Sequence, residues 1–261
     1  LNVATYQRIE QHLNQAELIG ADRLVDRIRM VKSSAELECI RRAAELTHIG
    51  LCAAREEIRP GVLDCELIAA ATAAMFRAGS HQFVMQPTVA IGYRSGLSHS
   101  QHDNLRAQSG DSVFIELSGN YRHYSAPLMY STTIGPVDDE RNEFLEVAHR
   151  TAEAIIGTAR PGVRACDVAA TAQAAMRSIE DRIQFHYIFG YSVGINFPPH
   201  WLEESNFHLR ATNQEPLQAG MVFHLPLTMR VLGEYGAGTS RTIEITEQGA
   251  RVLTGQNDTA G

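Results

Sequence analysis

The sequence predicts an α+β fold made of two related halves, with helices covering one face of a mainly antiparallel sheet. The leading observation is an internal repeat, because Arg-Pro-Gly-Val occurs at 59–62 and again at 160–163. At the same offset, Cys65 corresponds to Cys166. A long helical pattern precedes each copy and β-rich segments follow it, an order typical of α+β proteins. A curved sheet built from two such halves leaves a central cleft between them.

The repeat also sets the predicted boundaries. Residues 1–32 contain one predicted amphipathic helix and a connecting segment, and they begin without Met, so we expect the chain to start partway through a longer protein. Ser33 and Glu36 form a predicted capping box at the start of a helix that runs to about Ile58. The halves are then about 33–139 and 140–254, followed by a tail, 255–261, predicted to be disordered.

Composition excludes several classes of protein. The net charge is −7 and there is no basic run, so a nucleic acid partner is not expected. No apolar run approaches the ~18 residues that a membrane span needs, and no basic amphipathic stretch points to a membrane surface. The four cysteines contain no CxxC pair and favour a reduced, cytoplasmic protein.

One stretch, 112–135, is the first candidate for a site. A predicted strand ends on a carboxylate, Glu116, and a Gly119-Asn120 turn leads into a second predicted strand, 121–134. A carboxylate that ends an apolar strand is a typical position for catalysis, although a solvated strand end is the more common explanation. In this fold Glu116 would face the cleft.

Three further stretches are candidates to line the cleft. They contain His99 in the loop 98–103, Trp201 in the loop 190–203, and His224 in an apolar strand. His99 and Glu116 together suggest general acid–base chemistry, but a lone loop histidine is more often a surface group. Trp201 is either a stacking wall or loop packing, and His224 is either a site residue or a hydrogen-bonded core histidine. Glu203 and Glu204 are expected at a solvated loop edge.

These segments together resemble the pita-bread family of creatinases, Xaa-Pro aminopeptidases and prolidases. The resemblance runs from residue ~25 to residue ~254 and includes the helix start at 32–37, the Glu116 strand and hairpin, the loop at 190, and the segments 220–223 and 245–249. It implies a pseudo-symmetric α+β domain, a homodimer, and a residue 1–32 segment that is the end of an N-terminal domain plus its linker.

The resemblance also implies something about metal. Peptidases of that family bind two divalent metals through two Asp, one His and two Glu. The corresponding positions here are Glu116, Pro127, Tyr191, Pro226 and about Ser240. Four of the five cannot act as the required ligands, so the resemblance implies no dinuclear metal site and no metallopeptidase activity. No other cofactor is expected.

The metal-free members, creatinase and the ectoine hydrolases, are the more similar branch. The segments 116–128 and 190–203 resemble their hairpin and loop motifs. The resemblance implies that Glu116 is a nucleophile or base, that His99 moves the proton, and that a small solute is hydrolysed at a C–N bond. The residues it assigns to substrate binding are Tyr124, Tyr191, Trp201, Glu203 and His224.

Near the C-terminus this chain departs from the branch. Arg241 stands in a stretch that is acidic there, which predicts a substrate with an anionic group. Two alternatives remain open: a metal-dependent Xaa-Pro dipeptidase, and an inactive protein that keeps the cleft for ligand binding.

Overall fold

The computed structural model describes residues 2–13, 15–21, 23–203 and 207–255. Six helices lie in this part of the chain: α1 (Val3–His12), α2 (Leu24–Met30), α3 (Ser34–Glu56), α4 (Asp64–Arg77), α5 (Asp139–Thr158) and α6 (Ala165–Met176). The predicted disordered tail falls, apart from Gly255, outside the described residues, and so does Glu204.

The strands form one large antiparallel sheet and one small hairpin. They are β1 (Thr88–Ile91), β2 (Ser112–Leu117), β3 (Asn120–Tyr121), β4 (Tyr124–Ser125), β5 (Leu128–Thr133), β6 (Gly190–Ser192), β7 (His208–Leu209), β8 (Val222–Val231), β9 (Tyr235–Thr246) and β10 (Gly249–Val252). The large sheet has the order β1-β2-β5-β9-β8-β6-β7, with β10 on β9, and β3 pairs with β4. This architecture confirms the predicted α+β fold.

Two helices stand at the N-terminal end where one was predicted. Helix α1 has no buried residue, while α2 buries Met30 against the second half. The capping box at α3 is confirmed, since the Ser33 amide donates to Glu36 at 2.8 Å and the Glu36 amide donates to the Ser33 hydroxyl at 3.4 Å. Together these two bonds satisfy amide groups that the first helical turn leaves without partners.

The repeated Arg-Pro-Gly-Val turn has the same structure in both halves. Gly61 and Gly162 adopt φ of 88° and 87°, a left-handed backbone that favours glycine. The amide of Gly61 donates to the Ala107 carbonyl at 2.8 Å, and that of Gly162 donates to the Leu217 carbonyl at 2.9 Å. Each turn therefore ties the loop between two helices to the segment that precedes a strand, which explains why the motif repeats.

The hairpin after Glu116 differs from the prediction. The tight turn lies at Arg122 and His123, whose φ values are 51° and 67°, and the short β3–β4 hairpin separates β2 from β5. Gly119 is needed for close packing instead, because a Cβ there would lie 2.5 Å from the Leu46 Cβ on α3. A turn glycine and a close-approach glycine look the same in a sequence.

The sheet separates a helix-covered face from the opposite face. In β8, Phe223, Leu225, Leu227 and Met229 pack into the core formed with α5 and α6. Alternate residues of a strand point to opposite faces, so the even-numbered residues of β8 lie on the other side. The first half builds a second core from α3 and α4 against β1, β2 and β5.

Strand β8 lacks a full-length partner on the side away from β9. Strand β6 pairs only with Phe223 and His224, and the Val193 amide donates to the Val222 carbonyl at 3.1 Å. Further along, the Gln184 amide donates to the Arg230 carbonyl at 2.8 Å. The part of β8 between these contacts borders a cavity.

Candidate active site

A cavity of about 410 Å³ lies on the face of the sheet opposite the helices. Strands β2, β5, β6 and β8 and the loops around residues 98, 186 and 200 surround it. The polar and aromatic residues that line it are Ser98, His99, Glu116, His186, Tyr191, His200, Trp201, Thr228 and Arg230. The predicted catalytic pair, His99 and Glu116, thus opens onto one cavity.

Glu116 is buried on β2, with 6% of its surface exposed. Burial raises the pKa of its carboxyl group to about 7, although the charge of Arg230 acts in the opposite direction. No described residue donates a hydrogen bond to this carboxylate. Its oxygen atoms are therefore available to a water molecule or a substrate.

His99 lies on an exposed turn above the same cavity. Its φ is 55°, a left-handed conformation that is strained for a residue other than glycine. Backbone strain of this kind is often found at functional positions, where it orients a side chain. The catalytic roles of Glu116 and His99 remain predictions.

Tyr191 and Trp201 form a hydrogen-bonded wall of the cavity. The Trp201 Nε1 donates to the Tyr191 hydroxyl at 2.9 Å, and that hydroxyl contacts the His224 Nδ1 at 2.6 Å. The His224 Nε2 lies 2.7 Å from the Ser240 Oγ. Burial lowers the pKa of His224 to about 3, so its ring is neutral and one of its two nitrogens donates while the other accepts. His224 is fully buried and supports Tyr191 from behind, without lining the cavity.

Glu203 is not at a solvated edge, contrary to expectation. It is buried with 4% exposure, and its Oε2 lies 2.7 Å from the Nζ of Lys32. Lys32 is itself buried and also contacts the Ser192 hydroxyl at 3.3 Å. Burial lowers the pKa of Lys32, while Glu203 raises it. A charge can be buried here because it has an ion-pair partner from a distant part of the chain.

Tyr124 and Arg241 also lie away from the cavity. The Tyr124 hydroxyl donates to the Glu36 Oε1 at 3.1 Å. Arg241 is buried, donates to the Ser240 carbonyl at 2.8 Å, and has its Nη2 3.4 Å from the His149 Nδ1 on α5. Since Ser240 faces the site side, its neighbour Arg241 faces the helices. The expectation that Arg241 meets a substrate anion in the cleft is therefore corrected.

Sequence reasoning missed Arg230 and His186, both of which line the cavity. Arg230 could have been found, because the period of two places His224, Pro226, Thr228 and Arg230 on one face of a strand. His186 lies in an irregular loop, where no periodicity points to its direction.

Comparisons with known proteins agree with this fold. The model of metallopeptidase family M24 matches residues 38–247. The chain belongs to metallopeptidase family M24. Prolidase from Pyrococcus furiosus superposes with a TM-score of 0.88 at 23% identity, covering 98% of this chain and 74% of that one. The X-Pro aminopeptidase from Thermotoga maritima superposes with a TM-score of 0.85 at 23% identity, covering 99% of this chain and 72% of that one. These matches confirm the pita-bread fold.

Curated M24 relatives have several different names. An Xaa-Pro dipeptidase of Pyrococcus furiosus is 25% identical over 97% of this chain and 71% of its own length. The ectoine hydrolase of Halomonas elongata is 27% identical over 95% of this chain and 64% of its own length. A Bacillus creatinase is 26% identical over 95% of this chain and 62% of its own length. Membership of this family indicates a hydrolase.

The name of the M24 family implies metal, but the residues here do not fit a dinuclear site. The Pro127 carbonyl accepts hydrogen bonds from Thr242 at 2.7 Å and Thr254 at 3.2 Å, while the Tyr191 and Ser240 hydroxyls both contact the His224 ring. Pro226 offers no side-chain donor. Within the described ranges, no group of three or more His, Cys, Asp and Glu could hold a metal ion. We therefore assign no step to a metal.

No described helix is long and apolar enough to cross a membrane.

Proposed function

We propose that this chain hydrolyses a C–N bond in a small amide or related solute, using Glu116 and His99 and no dinuclear metal centre. The observation that carries the proposal is the buried carboxylate of Glu116, which faces a 410 Å³ cavity without a hydrogen-bond partner among the described residues. An ectoine hydrolase and a creatinase among the relatives support a non-peptide substrate.

The chemistry follows from the position and pKa of Glu116. Its ionised carboxylate takes a proton from water as the water oxygen adds to the carbonyl carbon of the substrate. The C–N bond then breaks, and the leaving nitrogen takes a proton from His99 or from the protonated Glu116. With a pKa of about 7, the carboxyl group can both accept and return a proton near neutral pH. Direct attack of the carboxylate on the carbonyl carbon is the alternative covalent route.

An Xaa-Pro dipeptidase is the second candidate. The relatives with this name favour it, and two are 25% identical to this chain over 97% and 95% of its length. An Xaa-Pro dipeptide is also a small molecule with a scissile amide, so the cavity is compatible with it. The side chains at the metal-ligand positions of the peptidases count against it, because these positions hold Pro127, Tyr191, Pro226 and Ser240.

A hydrolysis screen with elemental analysis of the same purified protein separates the candidates. The screen contains ectoine, creatine, N-acetylated diamines and Xaa-Pro dipeptides, each with chelator and with added manganese. We expect turnover of a small amide that chelator does not reduce. Glu116→Gln should lower kcat by a factor of about 10² to 10⁴, the usual effect of losing a general base.

The control variant is Glu153→Gln, which removes an exposed carboxylate on α5 that no described contact engages. Manganese-dependent dipeptide cleavage by protein with bound metal would favour the second candidate. Turnover that Glu116→Gln leaves unchanged would refute the proposed role of Glu116, and no turnover of any compound would count against a hydrolase.

A further inference from the structure

Arg230 is a basic residue of the cavity wall that the chemistry above does not use. Its side chain is on the same face of β8 as Pro226 and Thr228, which line the cavity with it. Its main chain is held in place, because Gly236 pairs with it on β9 and the Gln184 amide donates to its carbonyl. Among the described residues, no other Arg or Lys lines this cavity.

The guanidinium of Arg230 has no anionic partner within ion-pair distance in the described part of the chain. Its Nε is buried and makes no hydrogen bond. The guanidinium carbon lies 5.7 Å from the centroid of the Phe114 ring, so an aromatic face supports it from one side. An arginine with several free donors, fixed at the wall of a cavity, is suited to bind a carboxylate in a bidentate manner.

The position of Phe114 relates Arg230 to Glu116. Both Phe114 and Glu116 belong to β2, two residues apart, so their side chains share one face at a spacing of about 7 Å. A ligand anion at the guanidinium is therefore close to the catalytic carboxylate. Only a few covalent bonds can separate that anion from a scissile amide placed at Glu116.

We propose that Arg230 binds a carboxylate of the substrate, and that the substrate is a small amide whose carboxylate lies a few bonds from the scissile C–N bond. This inference rests on the proposed function and specifies its substrate class. N-acyl amino acids and dipeptides have this arrangement. Creatine also has it, whereas a simple acylated diamine does not.

His186 provides a second donor to the same end of the cavity. The Ile188 amide donates to its Nδ1 at 3.1 Å, so in the neutral ring Nε2 carries the proton. Glu116 is the only acidic residue among the described residues that line the cavity. The cavity therefore offers hydrogen-bond donors from Arg230 and His186 to a ligand anion, while its one described carboxylate, Glu116, is assigned to the reaction.

Anion binding should also change the protonation of Glu116. The positive charge of Arg230 lowers the pKa of Glu116, opposing burial. A bound carboxylate neutralises that charge, so the pKa of Glu116 rises and the protein takes up protons near pH 7. A merely structural role of Arg230 predicts no such uptake.

The test is calorimetric binding of matched ligand pairs to the Glu116→Gln variant, which prevents turnover. The probes are N-acetyl-L-alanine, N-acetyl-L-proline and glycyl-L-proline, each compared with its primary amide. We expect at least one acid to bind about 10- to 100-fold more tightly than its amide, as for a charge-assisted hydrogen bond. Adding Arg230→Leu should remove this preference, and Arg230→Lys should keep part of it.

Arg177→Leu is the matched control, since it removes one exposed arginine that does not line the cavity. Equal binding of acid and amide, no binding of any acid, or a preference that survives Arg230→Leu in a folded protein would overturn the inference. Proton uptake is measured with wild-type protein and the uncleaved ligands in buffers of different ionisation enthalpy. An Arg230-dependent preference in a protein that hydrolyses nothing would refute the proposed function alone.

Discussion

The stability of the Glu116→Gln variant relative to wild type should increase between pH 5 and pH 8. Burial raises the pKa of this carboxyl group from 4.5 to about 7, so between these values the folded state holds a proton that the unfolded state has lost. The free energy of unfolding then falls as pH rises, because the unfolded state binds fewer protons. The slope is about 1.4 kcal/mol per pH unit where the difference is one proton.

Between pH 5 and pH 8, ionisation of Glu116 lowers the free energy of unfolding of the wild-type protein by about 2.5 kcal/mol. Glutamine cannot ionise, so the Glu116→Gln variant lacks this loss. The change between the two pH values cancels any constant effect of the amide on packing. The difference between variant and wild type should therefore grow by about 2.5 kcal/mol towards pH 8.

Urea unfolding of both proteins at pH 5, 6, 7 and 8 measures this difference. Glu153→Gln controls for the loss of one negative charge at an exposed position. If the variant and wild-type curves stay parallel from pH 5 to pH 8, Glu116 does not carry the raised pKa. Glu116 would then be ionised throughout this pH range and could not act as a general acid near neutral pH.

Urea unfolding of further variants tests the support around the site. Lys32→Met leaves Glu203 buried without its 2.7 Å partner and should lower the free energy of unfolding by about 3 kcal/mol. The double variant with Glu203→Leu should lose less stability, and an equal loss would contradict a buried ion pair. Gly119→Ala places a Cβ 2.5 Å from α3 and should lower the free energy of unfolding by about 2 kcal/mol. Gly157→Ala on α5 meets open space and should raise it by about 0.5 kcal/mol. Tyr191→Phe removes partners of two buried groups and should cost about 2–4 kcal/mol; a neutral result would mean that water replaces the hydroxyl.

Local patterns were sufficient to predict most of the fold. The repeat around Gly61 and Gly162 indicated two similar halves, because the same left-handed turn makes the same hydrogen bond in each. The capping box at Ser33 located the start of α3. The β3–β4 hairpin was missed since Gly119 was interpreted as a turn residue, and its contact with α3 is a tertiary constraint.

The site was predicted in part. Glu116 and His99 were candidates from the strand and loop that carry them, the resemblance assigned their catalytic roles, and both line the cavity. Arg241 was assigned to the wrong face, because a shift of one residue along a strand reverses the direction of a side chain. The pairing of Lys32 with Glu203 joins residues 171 positions apart, and no local pattern in a single sequence reports such a contact.

Pro226 has a consequence for association between molecules. The carbonyls of Val222 and Arg230 both accept hydrogen bonds from the side of β8 away from β9, and Pro226 lies midway between them with the same alternation. The backbone nitrogen of Pro226 therefore points away from β9, into the unpaired stretch. Its lack of an N–H group removes no hydrogen bond between β8 and β9. An unpaired strand edge can recruit a strand from another molecule. A proline there removes one donor that such a strand would need, which disfavours pairing of another strand along the stretch that borders the cavity.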